Sequence, residues 1–182
     1  MSTELRLDAG LARRLVAQAQ TAAPAAAMEI TLEETHSQLT RFANNAIHQH
    51  MGEEALSLSV RTQLDGRTAR ASTHRLDEAG VRAVTERALQ LTRAQTPDPD
   101  LLPMAEPAPI SPVNRWDDAT AAITPAQRAE AVAAMVAVAR QQGLTTAGIC
   151  STRSSGVAIF NSRGVEALYR DTAAEFSVTM LH

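Results

Sequence analysis

The stretch Leu56-Ser57-Leu58-Ser59-Val60-Arg61-Thr62-Gln63-Leu64-Asp65-Gly66 decides the fold class of this 182-residue chain. Up to Leu64, apolar side chains and Thr62 alternate with polar ones, which is the pattern of a strand with one buried face. Asp65-Gly66 favours a two-residue type I′ turn, because both central positions of that turn need a positive φ. Residues 67–72 are therefore predicted to return as an antiparallel partner strand.

Helices are predicted on both sides of this hairpin. The first covers residues 10–22 behind the candidate N-cap Asp8, and the second follows the candidate N-cap Asp77 to about residue 94 with a single apolar stripe. The strands predicted between the helices cover residues 28–35, 39–44, 47–64 and 67–72. Residues 1–95 are therefore expected to form a first unit of helix, four strands and helix.

A proline-rich connector follows this unit. Residues 96–123 contain six of the eight prolines of the chain, so regular structure is not expected there. Trp116, the one tryptophan of the sequence, is predicted to anchor the connector against one of the units.

A second unit is predicted over residues 124–182. Thr124-Pro125-Ala126-Gln127 is typical of a helix start with a capping box, and Gly143 ends that helix. Strands are predicted at residues 145–152, 157–161 and 165–180, with turns at Ser154-Ser155-Gly156 and Ser162-Arg163-Gly164 and a bulge near Asp171. The fold class predicted for the whole chain is α+β, with two related units, each a helix packed on a small antiparallel sheet.

An internal repeat relates the two units. Residues 118 positions apart match in type, as Phe42 and Phe160 or Val60 and Val178 do. Under this offset His182 corresponds to Leu64, so the second unit ends before any counterpart of residues 67–72. We therefore expect the natural protein to be longer.

Composition excludes several functional classes. All 17 basic residues are arginine, which excludes a Walker A lysine and a Schiff base. The net charge of −3 and the absence of a basic stretch argue against nucleic acid as a partner. Cys150 is the single cysteine, no apolar segment is long enough to span a membrane, and charged Arg6 and Asp8 interrupt any signal peptide. A cytoplasmic protein with no membrane partner is expected.

No catalytic or metal-binding residue is predicted in this chain. No histidine is followed by glutamate, so the zinc motif His-Glu-x-x-His is absent. His48 and His50 could pair with His36 on a neighbouring strand around a metal, but surface histidines are common on strands. Cys150 fits a small buried hydrophobic residue, and Glu33-Glu34 fits solvated charge.

The segment from Leu39 to Gln49 contains the candidate site. Its candidate residues are Arg41, Asn44, Asn45 and His48. In one interpretation Asn44-Asn45 forms a left-handed hairpin turn and has no further role. In the other, the guanidinium and the amides line a groove for an extended peptide, because these groups satisfy backbone atoms without regard to sequence.

Three segments together resemble the N-terminal part of the TldD/PmbA family, also named modulator of DNA gyrase. They are Arg41-Phe42-Ala43-Asn44-Asn45-Ala46-Ile47-His48-Gln49, Thr96-Pro97-Asp98-Pro99-Asp100 and Phe160-Asn161-Ser162-Arg163-Gly164. The resemblance implies a metallopeptidase with a large β-rich C-terminal domain. It also implies dimers or TldD/TldE-type heterodimers that enclose a proteolytic chamber for unfolded peptides.

In that family the TldD-type subunit supplies zinc through a His-Glu-x-x-x-His helix and a downstream cysteine, whereas the PmbA (TldE) type lacks this site. No position of this sequence matches the motif, so zinc is expected only in the full-length protein or in its partner subunit. The role implied for this chain is a substrate-chamber and subunit-contact region that is not catalytic by itself. The alternative is a stand-alone, non-enzymatic module that binds a peptide or protein through exposed strand edges. Whether the subunit is of the TldD or the PmbA type stays open.

Overall fold

The computed structural model describes residues 5–182, which form helices packed on one antiparallel sheet. The helices are α1 (Ala9–Ala22), α2 (Glu78–Ala94), α3 (Asp118–Ala121) and α4 (Pro125–Gln141). The strands are β1 (Ala27–Ala43), β2 (Ala46–Leu64), β3 (Arg67–Thr73), β4 (Thr145–Asn161) and β5 (Glu166–Leu181). Their order across the sheet is β3-β2-β1-β4-β5, so the predicted α+β class is confirmed. The strands of the two predicted units form one five-stranded sheet and not two small ones, because β1 pairs with β4. Residues 1–4 of the first predicted unit lie outside the described residues.

The strands are fewer and longer than the sequence pattern predicts. The strands expected at 28–35 and 39–44 are one strand, β1, and those expected at 145–152 and 157–161 are one strand, β4. The turn predicted at Ser154-Ser155-Gly156 is wrong, because β4 continues through these residues and pairs with β1 and β5 on its two sides. A central strand satisfies its backbone from two neighbours, so polar residues and glycine within it do not end it.

Two smaller expectations also need correction. The register between β4 and β5 is continuous, so there is no bulge near Asp171, and the irregularity lies in β1–β2 between Arg41 and Phe42 instead. The connector is not wholly irregular, since Asp118–Ala121 forms the short helix α3 with Asp117 as its N-cap.

The predicted tight turns are present. Asp65 and Gly66 have φ values of 49° and 70°, and Asn44 and Asn45 have values of 52° and 59°. Gly164 has a φ of 93° in the turn between β4 and β5. Because Asn, Asp and Gly tolerate the left-handed region better than other residues, the local sequence is sufficient to place these turns.

The apolar core lies between the helices and one face of the sheet. Side chains alternate along β1, and its even-numbered residues share the helix-covered face. At one end of β1, fully buried Met28, Ile30 and Leu32 join residues of α1 and α2 in the main cluster. At the other end, Phe42 packs with Val132 and Val136 of α4. Among residues 5–182, no helix lies on the opposite face of the sheet, which is called the helix-free face below.

The connector crosses the helix-free face and then passes around the edge of β5. Met104, only 2% exposed, anchors it on this face, and the Asn161 side-chain amide donates to the Ala105 carbonyl at 2.8 Å. At the edge, the Thr172 amide donates to the Arg115 carbonyl at 3.0 Å. The ring centroid of half-buried Trp116 then lies 6.0 Å from the guanidinium carbon of Arg170 on β5. The connector therefore has two anchors, Met104 and the predicted Trp116. Within residues 5–182, no helix has the length and hydropathy needed to cross a membrane.

The N-cap of α2 leads to a pH-dependent prediction. Asp77 accepts hydrogen bonds from Arg75 and from the Gly80 amide, and both hold the pKa of its carboxyl below the ordinary value. A carboxyl with a depressed pKa stabilises the fold above its unfolded pKa and loses that contribution as the pH falls through the folded pKa. Asp77→Asn keeps a good cap without a titrating group. We expect the Tm of this variant to fall less than that of the wild type when the pH is lowered from 5 to below 4.

Candidate functional site

The predicted site residues cluster at the β1–β2 turn, but they do different things. The Asn45 side chain binds the start of β4: its Nδ2 donates to the Leu144 carbonyl at 2.9 Å, and its Oδ1 accepts from the Thr146 amide at 2.8 Å and hydroxyl at 2.7 Å. Arg140 of α4 donates to the Asn45 carbonyl at 2.9 Å. Asn44 is exposed in the turn itself. The amide of Asn45 is therefore a structural link to the second half of the sheet.

Arg41 and His48 remain available for binding. Both are exposed, and both adjoin the irregularity in the β1–β2 register, where Arg41 pairs with Gln49 and Phe42 pairs with Ile47. As an odd-numbered residue of β1, Arg41 points to the helix-free face. Arg41 and His48 therefore lie together at one end of the hairpin, whereas the side chain of Asn45 has a structural role in holding β4.

The helix-free face carries hydroxyl groups along β1, from Ser37, four residues from Arg41, to Thr31, ten residues from it. Half-buried members of this surface are Thr31, Thr35, Ser37, Ser57 and Ser151. Hydroxyls can donate and accept hydrogen bonds with a peptide backbone. Beside them, an apolar cavity of about 210 Å³ lies between connector residues 110–113 and the side chains of Val157, Ile159 and Tyr169. This surface combines backbone-binding groups with an apolar neighbour.

A buried polar group on the helix-covered face was missed by the sequence analysis. Glu34 is 1% exposed, so the interpretation of Glu33-Glu34 as solvated charge is wrong for this residue. Its carboxylate accepts from the Leu7 amide at 2.7 Å, from Arg6 Nε at 3.4 Å, and lies 3.0 Å from His36 Nε2. The alternation of apolar residues along β1 could have indicated this, because Glu34 continues the series of Ile30 and Leu32.

Arg128 of α4 is a second buried charge. It is 1% exposed and donates to the Ile123 carbonyl at 3.0 Å, to the Gln38 amide oxygen at 3.3 Å, and to the Thr40 and Thr152 hydroxyls at 3.3 and 3.4 Å. Burial lowers the pKa of this guanidinium. These neutral acceptors hold the charge in place.

Cys150 lies beside Arg128 and behaves as predicted from its context. It is partly buried and packs against the cluster of Phe42. Burial raises the pKa of its thiol, and the charge of Arg128 opposes this in part. A thiol with a raised pKa is a weak nucleophile.

The described residues do not fit a zinc site. His36 Nε2 forms a hydrogen bond with the carboxylate of Glu34, and His50 Nδ1 lies 2.9 Å from the Thr40 hydroxyl. His36 and His50 are separated by four residues along the β1 register, about 13 Å, so the suggested pairing around one metal is wrong. Across residues 5–182, no three His, Cys, Asp or Glu side chains are grouped closely enough to hold a metal ion. We assign no residue of this chain to zinc.

The helices, the five-stranded antiparallel sheet and the Asn44-Asn45 turn form an α+β domain that can be compared with known proteins. Residues 28–92, from β1 into α2, match the family described as PmbA/TldA metallopeptidase domain 1. The predicted resemblance to the N-terminal region of the TldD/PmbA family is confirmed. No curated protein matches the sequence.

Three solved structures share the fold over nearly the whole chain. TldE from Thermococcus kodakarensis has a TM-score of 0.83 at 15% identity, with 93% of this chain and 39% of that chain covered. A proposed modulator of a DNA gyrase from Thermotoga maritima has a TM-score of 0.77 at 14% identity, covering 91% and 37%. A proposed gyrase modulator from Bacteroides thetaiotaomicron has a TM-score of 0.75 at 18% identity, covering 91% and 40%. The chain thus spans about two fifths of each of these structures.

Proposed function

We propose that this chain is the N-terminal, non-catalytic region of a TldD/PmbA-type metallopeptidase that acts in proteolysis or peptide maturation. The observation that carries the proposal is the match of residues 28–92 to the first domain of such metallopeptidases. In this proposal the chain forms part of the wall of a substrate chamber and contacts a second subunit. Hydrolysis takes place elsewhere in the full assembly.

The helix-free face is the part of the wall that guides the substrate. Its hydroxyl groups and Arg41 suit the carbonyls and amides of an unfolded peptide, whatever its sequence. The apolar cavity beside Ile159 and Tyr169 suits an occasional large side chain. Arg41 and His48 mark the end of this surface at the β1–β2 turn.

The remaining parts of the proposal concern the assembly. The partner is a second copy or the other subunit of a TldD/TldE-type heterodimer, and the location is the cytoplasm. Zinc belongs to the rest of the full-length protein or to the partner subunit. Purified residues 1–182 are accordingly expected to bind no stoichiometric zinc and to cleave no peptide. Zinc binding with peptidase activity in this chain would overturn the proposal.

The second candidate is a stand-alone binding module without enzymatic context. It is favoured by the long exposed edge strand β5, which could pair with a partner chain. The two candidates differ in the surface that they use. A peptide that binds at the helix-free face supports the chamber wall, and one that binds only at the edge of β5 supports the module.

Peptide binding gives a direct test of the helix-free face. We expect Arg41→Ala to weaken the binding of an unstructured, fluorescein-labelled peptide about three- to tenfold, because one exposed guanidinium contributes a modest hydrogen-bond energy. Fluorescence anisotropy measures the change in Kd. Arg14→Ala is the matched control, since Arg14 is an exposed arginine of α1 on the other side of the sheet. Equal losses in the two variants, or none in either, would contradict the guiding role.

A further inference from the structure

The two halves of the sheet repeat the same pairing. Ile30 lies opposite Val60 in β1–β2, and Gly148 lies opposite Val178 in β4–β5. These two pairs are 118 positions apart in the sequence, and β1 and β4 are both 17 residues long. The offset that relates residues in the sequence therefore also relates the registers of two strand pairs.

A local two-fold axis follows from the pairing of β1 with β4. His36 lies directly opposite Ser154, and the same offset makes these two positions equivalents of each other. A residue that faces its own equivalent in an antiparallel pair marks a two-fold axis. Rotation about this axis places β2 on β5, but β3 and α2 have no counterpart within residues 5–182.

The outer edge of β5 is open where β3 would have its counterpart. The Thr172 amide points outward, because it donates to the Arg115 carbonyl of the connector. Amides alternate in direction along a strand, so the amides of Ala174, Phe176, Val178 and Met180 point to the same side. Among residues 5–182, no strand pairs with this part of the edge.

The helix-covered side of β5 is open in the corresponding place. Leu58, Val60 and Thr62 of β2 are each 0% exposed beneath α2, where Val81, Val84 and Ala88 pack and Thr92 bonds to Thr62 at 2.7 Å. Their equivalents on β5 are Phe176, Val178 and Met180, which are 41%, 36% and 47% exposed. Apolar side chains at the equivalent positions thus lack the helix that covers β2.

The two edges of the sheet differ in their protection. β3 has seven residues and presents Arg67 and Arg70, and short charged edges of this kind resist further pairing. β5 has 16 residues, and Glu175 is the only charge between Ala173 and Leu181. An apolar edge of this length is an aggregation hazard unless another strand covers it.

We propose that β5 is the docking surface for a strand followed by a helix, equivalent to β3 and α2, supplied by polypeptide that follows residue 182. The strand pairs antiparallel with the edge at residues 176–182, the equivalents of the β2 residues that pair with β3. The helix covers Phe176, Val178 and Met180. This occupant is favoured over a second copy because the two-fold axis defines its place, and because the matched structures are more than twice as long as this chain. The docked unit completes a six-stranded sheet with helices on one face.

Hydrogen exchange tests the proposed docking surface. We compare the 182-residue chain with the longer protein translated from the same gene. The amides of Phe176, Val178 and Met180 are expected to exchange at least about tenfold more slowly in the longer protein. Equal exchange in both proteins, or a gene that encodes nothing after residue 182, overturns the proposal. Protection in the shorter chain that is lost on dilution also overturns it, because a second copy would then be the occupant.

A substitution separates docking from a general change in stability. Val178→Asp is expected to lower Tm at least about twofold more in the longer protein, where the carboxylate would be buried, than in the 182-residue chain. Val138→Asp is the matched control, since Val138 of α4 is 60% exposed and its equivalent Gln20 stays exposed in the half of the chain that contains α2. Equal losses from Val178→Asp in the two proteins overturn the proposal.

Discussion

Phe42→Ala is expected to lower the free energy of unfolding by about 3–5 kcal/mol, because it removes a large buried ring and leaves a cavity. Phe42 is 1% exposed and joins the sheet to α4 through Val132 and Val136. Its ring centroid also lies 6.0 Å from that of Phe176 on β5. Urea unfolding, followed by circular dichroism, measures the loss.

Phe176→Ala is the control for this prediction. Phe176 touches the same ring but is 41% exposed, so its truncation removes less buried area and should cost about 1 kcal/mol or less. Similar losses for the two variants would mean that α4 is not held on the sheet mainly by Phe42.

Arg128→Ala is expected to cost about 3 kcal/mol, since it leaves several buried acceptors without a donor and also creates a cavity. Those acceptors are the Ile123 carbonyl, the Gln38 amide oxygen and the hydroxyls of Thr40 and Thr152. The same unfolding measurement gives the value. Most of the cost arises from the unpaired partners and not from the lost charge.

Arg128→Met distinguishes packing from hydrogen bonding. Methionine fills much of the space of the arginine stem but donates no hydrogen bond, so this variant should recover part of the stability lost in Arg128→Ala. Arg87→Ala of α2 removes an exposed arginine and is expected to change stability by less than about 0.5 kcal/mol. If Arg128→Met were as unstable as Arg128→Ala, the hydrogen bonds alone would account for the whole cost.

The sequence predicted those features that local chemistry determines. The turns at Asn44-Asn45 and Asp65-Gly66 and the caps at Asp8, Asp77 and Thr124 depend on residues next to one another, and all are present. In contrast, the continuity of β1 and β4 depends on neighbours more than a hundred residues away. The local sequence Ser154-Ser155-Gly156 favours a turn, but its pairing with β1 keeps these residues in an extended strand.

The candidate site was predicted only in part, for the same reason. Local patterns place Arg41 and His48 beside a hairpin turn, where the structure also has them. They cannot show that Asn45 binds Leu144 and Thr146, because that contact joins two halves of the sheet. The alternation along β1 could have indicated that Glu34 is buried, but not that the Leu7 amide, 27 residues away in sequence, donates to it.

The pairing of His36 with Ser154 has a consequence for how the two halves of the chain differ. In a dimer of identical halves, the residue on the axis would meet a copy of itself, so an imidazole would have to tolerate another imidazole. A single chain is free of that constraint, and the imidazole here faces a hydroxyl. Glu34 is the next residue along β1 on the same face as His36, and it accepts hydrogen bonds from Arg6 and Leu7. Its equivalent, Thr152, accepts from Arg128 instead. Because the halves are covalently linked in one chain, the residues near the axis can differ. The carboxylate of Glu34 lies on one side of the axis and the guanidinium of Arg128 on the other, although the strands around them are related by the two-fold axis.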